Sequence, residues 1–237
     1  MPPASSIPTS RGALIFAVVV YAILKTFVPF GRTILYPLTL LATWVHEMGH
    51  GLTALVLGGT FASLDVFADA SGLAHTATRH LWQHGLVAAG GLLAPPLAGA
   101  LLLGLSRGPR RARVVLALLA VASVSSLAIW VRSFAGLVAL PIVALFLGIF
   151  ARYGGSRERM VFAQLVGVAL AIDTWAGKGY LFVSRATVDG VTRPSDISTV
   201  AGAFGGPYLA WGFVLALVSF ALLALGLFIA WRKQPAR

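Results

Sequence analysis

The segment Trp44-Val45-His46-Glu47-Met48-Gly49-His50-Gly51 holds three residues whose types and spacing suit chemistry. On a helix His46 and His50, four apart, share a face, so two imidazoles can hold one metal ion. Glu47 follows the first of them and is placed to take a proton from water activated by that metal. The segment lies within residues 35–57, where almost every other side chain is apolar. Ionisable groups at that depth are expensive and mark function. The pattern implies metal-assisted hydrolysis inside a membrane.

A catalytic site of this type usually has three protein ligands and one open position. The chain has no cysteine, so the third ligand must be His, Asp or Glu. Glu158 lies in a basic loop, Asp65 and Asp69 in a polar interval after the motif, and Asp189 before Gly190 in a turn. That leaves Asp173 and Asp196. If the spans holding the motif and Asp173 cross in the same direction, His46 and His50 lie about 20–25 Å along one helix and Asp173 about 20 Å along the other. Similar depth favours Asp173, with Asp196 as the alternative. His80 and His84 also have helical i,i+4 spacing but no adjacent Glu, and read as interfacial packing; His75 reads as a loop residue.

These residues must be positioned by membrane-spanning helices. The chain is 58% hydrophobic and 11% charged, where a soluble domain carries about 25% charged residues. Its polar groups could not cover a globular surface, so it reads as an integral membrane protein. Hydropathy predicts an all-α polytopic fold of about seven transmembrane helices, near 13–30, 33–57, 81–105, 114–131, 134–150, 160–175 and 208–231. Residues 58–79 are polar with alternating character in 61–67 and predict a short β-hairpin or re-entrant segment. Residues 177–206 read as a loop with partial re-entry. Pro95-Pro96 predicts a break or kink in the third span. The division is a tail at 1–12, one transmembrane domain over 13–231 and a basic tail at 232–237.

The net charge of +11 is concentrated in short loops: Arg107, Arg110, Arg111 and Arg113; Arg152, Arg157 and Arg159; Arg232, Lys233 and Arg237. Such clusters suit topology signals and anionic lipid, not nucleic acid. The positive-inside rule makes that side cytoplasmic, with the C-terminus in and, over seven spans, the N-terminus out.

With motif and context assembled, the chain resembles the M50 (site-2 protease) clan of intramembrane metalloproteases, in its bacterial M50B-like branch. The matching segments are HEMGHGLTALVLGG at 46–59, AAGGLLAPPLAGALLLG at 88–104 and PSDISTVAGAFGGPYLAWG at 194–212. The resemblance implies a zinc metalloendopeptidase of a bacterial plasma membrane, with one Zn²⁺ per chain and a membrane protein or peptide as substrate. It implies His46 and His50 as ligands, Glu47 as catalytic base, and an aspartate from a later span, Asp173 by the count above, completing the site. The clan's N-P-D-G and L-D-G patterns for that ligand are absent; Asp189-Gly190 has the dipeptide but lies in a polar loop. The segment 61–67 is expected to offer an edge strand to an unwound substrate. Two other classes compete: a non-catalytic relative such as a membrane chaperone, and a metal-ion transporter, which would need polar groups on several more spans.

Overall fold

The computed structural model describes residues 10–176 and 181–232, with Ser10 and residues 173–176 described in backbone only. Among these the order is α1 (Ser10–Thr26), α2 (Gly31–Val56), β1 (Thr60–Val66), β2 (Gly72–Ala77), α3 (Leu81–Leu105), α4 (Pro109–Ile129), α5 (Phe134–Tyr153), α6 (Ser156–Ala176), β3 (Arg185–Val188), β4 (Val191–Pro194), α7 (Asp196–Phe204) and α8 (Tyr208–Trp231). Of the expected tails at 1–12 and 232–237, residues 1–9 and 233–237 lie outside the described residues, and 10–12 belong to α1.

Four of these helices, α3, α4, α5 and α8, are long and apolar enough to cross a membrane. The helices α1 and α2 meet at 117° across residues 27–30 and together qualify as one more. Among the described residues there are four candidate spans, or five with the bent pair, so the expected seven are not confirmed. Helix α2 carries Arg32 and the charged motif, and the last turn of α6 is described in backbone only. Helix α6 is shielded by protein, with Met160, Ala163, Val166 and Leu170 buried.

The central helix is α3, which packs against α2, α6, α7 and α8. Small residues make these contacts close: a Cβ at Gly99 would meet the backbone of Ala171 at 2.5 Å and of Gly167 at 2.6 Å. With lipid outside, such backbone approach supplies the packing that hydrophobic exclusion supplies in water. Large apolar side chains on α4, α5 and α8, such as Leu118, Leu145, Phe213 and Leu217, stay exposed on the outer surface, as a lipid-facing belt requires. Helix α3 runs through Pro95 and Pro96 without interruption, so the expected break is absent.

The hairpin expected after the motif is present: β1 and β2 pair antiparallel, Leu64 opposite Ala74 and Val66 opposite Gly72. Its outer edge is occupied. Leu64 donates to the Trp130 carbonyl at 2.9 Å and accepts from the Arg132 amide at 3.1 Å. The Val66 amide donates to Ser133 Oγ at 2.8 Å. The expected role of 61–67 as a free edge strand is thereby corrected, and the unpaired edge belongs to β2. Residues 177–206 are more ordered than expected. Asp189-Gly190, with φ of 47° and 75°, makes the two-residue turn of a second hairpin, β3–β4. Helix α7 follows.

Arg11 Nε donates to the Trp231 carbonyl at 2.8 Å, and Arg107 to the Arg232 carbonyl at 2.6 Å. The start of α1, the α3–α4 turn and the end of α8 thus share one end of the bundle. The expectation placed the N-terminus opposite the C-terminus; the start of α1 instead lies beside the end of α8.

Candidate metal centre

His46, Glu47 and His50 lie in the last three turns of α2, beside both hairpins. The two imidazoles meet edge to face, with centroids 4.6 Å apart and planes at 83°. That crossing aims both Nε2 atoms at one point, 3.0 Å apart. Asp196, the first residue of α7, brings Oδ2 to 3.0 Å from His46 Nε2 and 3.4 Å from His50 Nε2. Candidate ligand atoms of His46, Glu47 and His50 fall within 4.8 Å of one another.

A metal ion fits this donor set. His50 Nδ1 lies 2.8 Å from the Val87 carbonyl. A carbonyl only accepts, so Nδ1 carries the proton, and in the neutral ring Nε2 keeps a lone pair for a metal. His50 Nε2 and Asp196 Oδ2 are then two electron-pair donors facing each other, which a shared cation reconciles. The three separations, 3.0, 3.0 and 3.4 Å, compare with about 3.3 Å between donors on a tetrahedral ion with bonds of ~2.0 Å.

Helix α3 shapes the ligand. A Cβ at Gly91 would fall on the His50 ring, touching Cε1, Nε2 and Nδ1. On the other side β2 shapes the base. Glu47 is 5% exposed, and a Cβ at Gly72 would meet its Oε1 at 2.5 Å. Leu64 spends its backbone groups on residues 130–132, so the opposite residue, Ala74, directs its own outward. Ala74 and Glu47 line the same cavity.

A cavity of about 240 Å³ opens in front of these groups. One wall is β2 with Gly72, Ala74 and Thr76; the other is β3–β4 with Ala186, Val188 and Arg193; His84 and Thr199 complete it. Register places Ala186 opposite Arg193, on one face of the hairpin.

The chain's sequence matches the family model described as Peptidase M50B-like over residues 13–226. It belongs to that family. No match was found among curated proteins or solved structures. In this M50B-like peptidase family member the structure brings together His46, Glu47, His50 and Asp196. Asp173 falls in α6, and its side chain lies outside the described residues. The depth count that favoured it treated 177–206 as loop; α7, entered directly from β4, is what carries Asp196 back to the histidines.

The other sequence candidates are elsewhere. His75 pairs with Asp65 at 3.0 Å across the first hairpin. Asp69 Oδ1 accepts from Ser71. Glu158 accepts the Gly155 amide at 2.7 Å at the start of α6. His80 precedes α3 and stacks on Trp82. His84, read as interfacial packing, lines the cavity; its i,i+4 relation to His80 was the available signal. Arg193 had no sequence signal, since the hairpin that brings it to the cavity rim was not expected.

Proposed function

We propose that this M50B-like membrane protein is an intramembrane zinc metalloendopeptidase, with His46, His50 and Asp196 as ligands and Glu47 as general base. The observation that carries the reading is the convergence of His46 Nε2, His50 Nε2 and Asp196 Oδ2 within 3.4 Å, with Glu47 adjoining. A zinc ion held there supplies Lewis acidity, acidifying water and polarising a peptide carbonyl.

The chain's own residues do the rest. Glu47 takes a proton from water as the oxygen bonds the scissile carbon. It returns that proton to the departing nitrogen as the C–N bond breaks. The close backbone of Gly72 holds the carboxylate in place. A cavity of about 240 Å³ is too small for a helix with side chains, about 10–12 Å across. A membrane-embedded substrate must therefore unwind. An extended stretch fits between the ribbons, where outward backbone groups of β2 offer hydrogen bonds without fixing sequence. The basic loops support a plasma membrane placement with the C-terminus cytoplasmic.

The test is Glu47→Gln in detergent-purified full-length protein, assayed against single-span peptides in proteoliposomes with products read by mass spectrometry. The variant should keep one zinc per chain and lose cleavage. Cleavage at the wild-type rate overturns the role of Glu47. Metal-loaded wild type that leaves every peptide intact favours a non-catalytic relative.

A further inference from the structure

The residue before Asp196 is Ser195, buried at 2% exposure in a region of exposed strands. Its hydroxyl donates to the Val183 carbonyl at 2.6 Å and accepts the Ser198 amide at 3.3 Å. Its own amide donates to the Ser184 carbonyl at 3.1 Å. Ser198 Oγ donates to that same carbonyl at 2.8 Å. The first turn of α7 is thus tied to the two residues that lead into β3, and hairpin β3–β4 closes as a loop above the tie. Asp196 is the next residue beyond it.

We propose that Ser195 is a positioning residue for the metal centre, fixing Asp196 through its bond to Val183. The inference rests on the ligand assignment proposed above. A serine ahead of a helix ordinarily satisfies the helix's first amides, and that function needs only an acceptor. Here the hydroxyl also spends its one proton, and it spends it outside the helix. Its donor side anchors the helix start against the 183–184 backbone, so that displacement of β3–β4, which carries exposed residues along both strands, is not transmitted to the ligand.

The two functions separate by substitution. Gly before a helix costs only a few tenths of a kcal/mol in capping but removes the donor to Val183. Thr keeps donor and acceptor. Full-length Ser195→Gly, Ser195→Ala and Ser195→Thr would be titrated with Zn²⁺ against a chromophoric chelator, and the Co²⁺-loaded forms compared by visible absorption. Gly and Ala variants should bind Zn²⁺ about 10–100-fold more weakly with an altered cobalt spectrum, and Thr should restore both. Wild-type affinity and spectrum in Ser195→Gly overturn the proposal, leaving Ser195 a helix cap. An Asp196→Asn control separates the levels. Its retention of wild-type affinity overturns the ligand assignment itself, and the positioning role with it. Its loss of affinity beside an unaffected Ser195→Gly overturns the positioning role alone.

Discussion

Gly91→Ala places a methyl where the structure has His50. The added carbon would lie against Cε1, Nε2 and Nδ1 together, where ordinary contact begins at 3.4 Å. In a close-packed interior the ring would have to withdraw by about 1 Å. Metal–ligand distances tolerate about ±0.2 Å. The same withdrawal strains the 2.8 Å bond to Val87 that fixes the tautomer. Losing that outer support costs about 10–100-fold in affinity; with the steric displacement, the upper end is expected, about 2.8 kcal/mol at ~1.4 kcal/mol per tenfold. Overpacking should lower fold stability by a further ~1–3 kcal/mol. The assay is Zn²⁺ competition with a chromophoric chelator on the folded variant, circular dichroism confirming helicity. Gly104→Ala on the same helix is the control. There the nearest atom to an added Cβ is Ile229 Cγ2 at 3.3 Å, and a side-chain end can give way. Gly91→Ala binding within about threefold of Gly104→Ala would refute the steric argument.

Two further outcomes concern the scaffold. Trp44 Nε1 donates to Ser126 Oγ at 2.9 Å in the buried contact between α2 and α4. Trp44→Phe should lower unfolding stability by about 1–2 kcal/mol, read from thermal melts in detergent, while zinc stoichiometry stays at the wild-type value. Gly190 has φ +75° in the β3–β4 turn. Gly190→Ala should cost about 1 kcal/mol locally, seen as faster limited proteolysis between 185 and 194 with little change in the global melt.

The clustering of His46, Glu47 and His50 was legible because all three reside in one helical segment. His46, Glu47 and His50 need no long-range information beyond the helical repeat. The first hairpin was legible from alternation in 61–67. The acidic residue beside the histidines was read only as the alternative to Asp173. Asp196 reaches the histidines across a sequence separation of 150 residues, through a hairpin whose strands are only four residues long and mostly exposed. Such strands show no apolar alternation, and the one local signal, Asp189-Gly190, was read as a turn without its flanking strands. Depth counting compared residues along assumed spans and had no means of representing a short helix re-entering beside them. Hydropathy marks apolar stretches but carries no direction, so it could not show that α1 and α2 meet at 117° across residues 27–30.

The distance along the chain between His46 and Asp196 would make an ion held by both a tether as well as a reagent. It would join the end of α2 to the start of α7, elements that otherwise meet through α3. Chelation would then remove one strut and free the 183–204 region first, while the α2–α3 contact at Gly49 and Gly90 stays shut. Under the proposed function, metal supply would govern the shape of the cavity before it governed turnover, so an apo preparation and a chemically inactivated one would be different molecules.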